Sequence, residues 1–110
     1  MARGLAWGDV RLVEFGGPDT ARPALVITRT AAIGFLNAVT VVPITQTTRD
    51  LPTEIPLGTA EGLKGPSVAN ADGIRAVAKQ RVGRYLGSLS QSRRGEVREA
   101  VTFAFGLEET

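Results

Sequence analysis

Apolar and polar positions alternate along Gly8 to Phe15, GDVRLVEF. Val10, Leu12 and Glu14 face one way and Arg11, Val13 and Phe15 the other, the period-two pattern of a strand that follows a Gly-Asp turn. GGPDT, Gly16 to Thr20, reads as a loop or hairpin turn. Arg22 to Thr28 is apolar almost throughout, which predicts a central strand buried on both faces. Thr30 to Asn37 is a connection that carries Ile33, Phe35 and Leu36, more apolar than a loop needs. A third strand runs from Val39 to Thr45, a polar loop from Gln46 to Pro52, and a short strand from Thr53 to Leu57 whose Pro56 suits a sheet edge. Short strands are predicted at Ser67–Ala71 and Ile74–Ala78 around the NADGIR turn, and a last one at Val82–Leu86. From Ser90 the period becomes helical. Val97, Ala100, Val101, Ala104 and Phe105 share one face, with Ser90 as N-cap and Gly106 just past the end. Phe103 falls off that face, toward a partner subunit.

Five to seven short strands closed by one C-terminal helix predict a small, strongly curled barrel. With 110 residues the chain is expected to be one domain spanning 1–110, with room for a single modest core. MARGLAWGDV lacks the layout of a signal peptide, and no apolar run approaches a membrane span, so a cytoplasmic protein without membrane contact is expected.

Composition excludes more than it assigns. Cysteine and histidine are both absent, which rules out disulfides, thiolate zinc sites and the commonest general acid–base. Any catalysis must run on Arg, Lys, Asp, Glu, Ser, Thr or Tyr. No metal or cofactor is expected. The net charge of +2 and a sequence pI near 9.7 permit a nucleic-acid partner without demanding one. Arginine carries the charge, since Lys64 and Lys79 are the only lysines, and its planar fork suits phosphate.

Two prolines mark strands that hold chemistry. Pro23 opens TARPALVIT, Thr20 to Thr28, and biases Arg22 to an extended backbone, so the guanidinium projects from a rigid element. Pro43 within VVPIT points to a bulge or an edge, after which Thr45 reaches a rim. An arginine fork beside a hydroxyl makes a phosphate-sized site, against the plainer reading of a surface arginine and a strand-ending threonine.

GDV (Gly8–Val10), RPALVI (Arg22–Ile27), VVPIT (Val41–Thr45), EIPL (Glu54–Leu57) and ADGIRAV (Ala71–Val77) occur in that order, followed by SLS at the entry to the terminal helix. The ordered series resembles the MazF/PemK (Kid) family of toxin–antitoxin modules over essentially the whole chain. The resemblance implies the SH3-like curled barrel shared with CcdB and PemK, a homodimer, and metal-independent endoribonuclease activity on single-stranded RNA at short sequence motifs. It also implies a MazE-like cognate antitoxin that covers the RNA groove. Matched residue by residue, it makes Arg22, Thr45 and Asp72 the catalytic candidates and Arg75 the basic end of the Asp72 segment. The first loop is shorter than the family usually has, with Asp19 its one acidic residue, and Gly73 stands where glutamine is usual. Both departures bear on base recognition more than on cleavage.

RNA can be cut without a metal because its own 2′-hydroxyl attacks the adjacent phosphorus. The enzyme aligns that attack, neutralises charge on the phosphorus and protonates the leaving 5′-oxygen. The family likeness implies 2′,3′-cyclic phosphate and 5′-hydroxyl products. Arg22 would clamp the phosphate and Thr45 would hydrogen-bond a phosphoryl oxygen. Arginine stays protonated in proteins and makes a poor proton acceptor; Asp72 is the alternative, with a capping role equally open, so the base is unassigned. Gln46, Thr47, Thr48 and Arg49 follow Thr45 on a loop able to reach base edges and phosphates. Trp7 and Phe15 read as core or dimer residues. Two rivals share the barrel: a CcdB-like gyrase poison, which would not need Arg22 and Thr45 together, and an inert SH3-like binding module, which would line its groove with aromatics.

Overall fold

The computed structural model describes residues 4–16 and 21–108, so Asp19 lies outside the described residues. Among the described residues seven strands form a curled sheet: β1 (Asp9–Glu14), β2 (Ala21–Val26), β3 (Ala38–Thr45), β4 (Glu54–Leu57), β5 (Ser67–Asn70), β6 (Arg75–Ala78) and β7 (Val82–Ser88). A single helical turn, α1 (Thr30–Ile33), links β2 to β3, and α2 (Arg94–Ala104) ends the fold. The sheet order is β4-β5-β3-β2-β1-β7, with β6 also paired to β3. All pairings are antiparallel. The strands thus fall where the hydrophobic pattern puts them, within a residue or two, while the terminal helix begins at Arg94, a turn later than an N-cap at Ser90 predicts. No helix among the described residues is long and apolar enough to cross a membrane.

The apolar run in β2 is explained by burial on both faces. Leu25 belongs to a cluster with Val10, Val42, Ile44 and the α2 residues Val97 and Ala100. Ala24 and Val26 belong to a second cluster with Val13, Val41 and Val77. A strand between two cores has no polar face to show, and its sequence alternation disappears.

Pro43 corrects the expectation of an edge or a bulge. β3 is central, with β2 on one side. On its other side it pairs with β6 through Ala38–Val41 and with β5 only from Ile44. Val42 and Pro43 fall in the gap between the two partners. The missing N–H therefore breaks no ladder bond on that side. The turn Ala71–Gly73 joins β5 to β6 across this gap, and the Pro43 ring packs beside Gly73.

Two glycines let the chain close. A Cβ on Gly62 would lie 2.0 Å from the Leu86 carbonyl oxygen, and one on Gly87 would lie 2.3 Å from the Glu61 carbonyl oxygen. The turn Thr59–Glu61 thus rests backbone to backbone on β7. Arg93 fastens the start of α2 to this corner: its guanidinium donates to the Pro56 carbonyl at 2.6 Å and pairs with Glu61 at 3.4 Å and Glu96 at 2.7 Å. Ser90 caps the single turn Gln91–Arg93, accepting from the Ser92 amide, and α2 follows from it. At the far end Leu107 donates to Thr102 and Gly106, at φ +67°, donates to Phe103, a Schellman closure. Phe105 was expected on the buried face, but it sits at that closure and is 58% exposed.

Candidate active site

Arg22 lies on β2, just beyond the paired stretch of the β2–β3 ladder, and its side chain is exposed. The ladder pairs Ala24 with Pro43, Leu25 with Val42 and Val26 with Val41. Carried two residues further in the same register, Arg22 comes opposite Thr45, on the face that Ala24 and Pro43 share. Continuing that register puts Arg22 and Thr45 at facing positions of two adjacent strand ends. The register, set by the two apolar cores, is what puts them there.

The surface around them holds three depressions. One of about 240 Å³ is lined by Phe15, Gly16, Arg22, Pro43 and Arg75. The Arg22 side chain makes no hydrogen bond or ion pair with a described residue, while the Arg75 guanidinium lies over the Phe15 ring at 5.1 Å from its centroid. A cation over an aromatic face is held without losing its charge. Phe15, read from sequence as a core or dimer residue, is therefore a wall of the Arg22 depression. The signal for it was available, since alternation along β1 sets Phe15 on the Val13 side, next to β2.

Thr45 bounds the other two depressions, each of about 410 Å³. Its Oγ1 accepts from the Thr47 amide at 3.2 Å. The hydroxyl's own proton is left to donate outward. Gln46 lines one depression; Thr47 and Arg49 line the other. Thr48 does neither, because its hydroxyl donates to Glu54 at 2.9 Å. Asp72 is exposed on the turn beside Gly73, its amide donating to Asn70, and it lines none of the three depressions. Arg22 and Arg75 thus share one depression, Thr45 borders the two others from the adjacent strand, and Asp72 stays on the neighbouring turn.

Glu54 holds the loop that carries Gln46 to Arg49. Besides Thr48, the amides of Arg49 and Leu51 donate to its carboxylate, at 2.9 and 3.2 Å. Desolvation pushes its pKa up, but the donors from Arg49, Thr48 and Leu51 outweigh it and hold the carboxyl below its ordinary 4.5. A depressed folded pKa stabilises the loop fully above the unfolded value, and that stabilisation is lost as pH falls through the folded one. In an NMR titration the Arg49 and Leu51 amide shifts should therefore move together with a midpoint below 4.5. They should stay flat in Glu54→Gln. Amides that titrate equally in the variant would show that Glu54 does not hold the loop.

Residues 6–105 match the family described as PemK-like, MazF-like toxin of type II toxin–antitoxin system. The chain is 37% identical over 99 residues to Endoribonuclease MazF3 of Mycobacterium tuberculosis, covering 90% of this chain and 96% of that protein. It is 31% identical over 87 residues to Endoribonuclease MazF1 of Mycobacterium bovis, covering 79% and 81%. Among solved structures it superposes on Mycobacterium tuberculosis toxin MazF-mt6 with a TM-score of 0.83 at 36% identity, covering 89% and 96%. It also superposes, with a TM-score of 0.82 at 28% identity, on an endoribonuclease in complex with its cognate antitoxin from a mycobacterial species, covering 97% and 100%.

Proposed function

The chain belongs to the family of PemK-like, MazF-like toxins of type II toxin–antitoxin systems, and on that premise we propose that it cuts single-stranded RNA at short sequence motifs without a metal. The observation that supports the mechanism is the β2–β3 register of Ala24 with Pro43, which, continued by two residues, brings Arg22 opposite Thr45. The substrate's 2′-oxygen attacks phosphorus as it gives up its proton, the P–O5′ bond breaks, the departing 5′-oxygen takes a proton from water, and the products are a 2′,3′-cyclic phosphate and a 5′-hydroxyl. Arg22, with Arg75 across the same depression, neutralises the phosphoryl oxygens as charge builds on them. Thr45 donates its hydroxyl proton to one of these oxygens. The 2′-hydroxyl proton needs an acceptor; the Asp72 carboxylate, which has no hydrogen-bond donor among the described residues, is the available carboxylate on the adjoining turn. With Glu54 tying it down, the Gln46–Arg49 loop offers base-edge and phosphate contacts.

Purified protein should cleave single-stranded RNA in EDTA. Loss of cleavage in chelator that magnesium restores would overturn the metal-independent reading. The relatives' endoribonuclease chemistry favours this over a gyrase poison or an inert module. By analogy with the antitoxin-bound neighbour, a cognate antitoxin covers the RNA-binding surface, and the protein acts in the cytoplasm on cellular RNA.

The working unit is a homodimer. Phe35 is 88% exposed and Phe103 56%, with Leu36 also exposed, more large apolar surface than so small a chain leaves bare without a partner. Light scattering should give twice the 11.6 kDa chain mass; a monomer at micromolar concentration would refute the dimer.

A further inference from the structure

One depression beside Thr45 has a feature that cleavage chemistry leaves unused. Its floor is apolar, formed by Leu12, Pro23, Ile44, Leu63 and Leu86. Its rim carries Thr45, Gln46, Lys64 and Arg84, and none of its lining residues is acidic. Lys64, Arg84 and Gln46 make no side-chain hydrogen bond or ion pair with a described residue. That contrasts with the cations the fold consumes. Lys79 donates to the Ile33 carbonyl at 2.8 Å, and Arg93 is shared among Pro56, Glu61 and Glu96. Arg84 and Leu86, both on β7, line the same depression, so an exposed cation stands at the edge of an apolar floor.

We propose that this groove holds one unstacked nucleobase of the substrate strand next to the cleaved linkage, with Lys64 and Arg84 on the phosphates that flank it. The inference rests on the RNA-cleaving reading and extends it to a subsite. A flat base is apolar on its faces and polar on its edges, which matches an apolar floor with an amide and hydroxyls around it. The chain is poor in aromatic stacking platforms, so aliphatic walls such as Leu12 and Pro23 take that part. The volume of about 410 Å³ lies toward the small end of the roughly 300–1,000 Å³ typical of ligand pockets, which suits one nucleotide and not a stacked run. Thr45 is common to this groove and the neighbouring one, so a base seated here adjoins the phosphate that Thr45 contacts.

The test separates binding from cleavage. A labelled single-stranded RNA, 2′-O-methylated throughout and therefore uncleavable, is bound to the full chain at several salt concentrations and followed by anisotropy. The double variant Lys64→Gln/Arg84→Gln should bind it about tenfold more weakly, and the slope of log affinity against log salt should flatten by about 1.4, at about 0.7 per phosphate lost. An abasic scan along the same RNA should find one position where losing the base weakens binding to the wild-type protein, with a smaller effect in Gln46→Ala. Unchanged affinity and slope in the double variant would overturn the subsite, and antitoxin binding lost in that same variant would assign the groove to an acidic peptide instead. An abasic scan without a sensitive position would overturn the seated base. If unmethylated RNA is cut neither in EDTA nor with magnesium while these binding effects appear, the cleavage reading fails and the groove stands as a base-binding site.

Discussion

Arg22→Ala should lose cleavage by on the order of 10²–10³ in rate, the cost of removing one preorganised transition-state donor, while the fold survives. Arg22 is exposed, and no described residue depends on it for a hydrogen bond. Its backbone pairs with Val13, and that pairing does not need the side chain. Arg22→Lys should recover little, because a point charge cannot reproduce the bidentate fork. Thr45→Ala should also be severe. Thr45→Ser should retain much activity, since serine keeps both the acceptor for the Thr47 amide and the proton to donate. RNA affinity of Arg22→Ala should fall far less than its rate if the guanidinium acts mainly in the transition state. Single-turnover cleavage of an oligonucleotide with a mapped site reads all of this, with circular dichroism confirming folded variants. Near-wild-type cleavage by folded Arg22→Ala would sink the mechanism.

Much of this arrangement was legible before any coordinates, and the parts that were not share a cause. Periodicity reports which residues are apolar, so it found β2, β3 and the buried stripe of α2. It cannot report which partner a strand has. Pro43 reads as an edge residue because proline cannot join a ladder, and only the handover from β6 to β5 shows how a central strand accommodates it. Phe105 obeys the helical period, yet its place at the Schellman closure turns it outward. The site divides the same way. Arg22 and Thr45 could be singled out because prolines fix the strands that carry them. Alternation already set Phe15 on the Val13 side, but Arg75 joins Arg22 only because β6 packs against β3, and a linear pattern does not encode that contact. Arg84 was hidden for a simpler reason: an arginine on a short strand normally reads as solvated.

Arg11 is a residue whose surroundings the pattern leaves open, and it leads to the largest stability effect expected here. Alternation sets it on the side of Val13 and Phe15, and there it is 7% exposed and Asp9 is 1% exposed. The Asp9 carboxylate accepts from Arg11 Nε at 3.1 Å and Nη2 at 3.0 Å, and from the Ala6 amide at 3.2 Å. The guanidinium also donates to the carbonyls of Gly83 and Gly4, at 3.1 and 3.0 Å, and lies 5.6 Å from the centre of the Tyr85 ring. The pair thus ties β1 to β7 and to the segment before it, where the β1–β7 register shifts around Arg11. Asp9→Ala would strand a buried cation, at a cost of about 3–5 kcal/mol, a large share of the roughly 5–15 kcal/mol that holds a domain folded. With a urea slope of about 1–3 kcal/mol per molar, the midpoint should fall by at least about 1 M. Asp9→Asn keeps an acceptor without the charge and should cost less. Replacing both partners, Asp9→Leu with Arg11→Met, should recover much of the loss, because no charge then lies buried without a partner. An Asp9→Ala midpoint within error of the wild type would mean that water reaches the guanidinium and that the pair is not the tie the geometry describes.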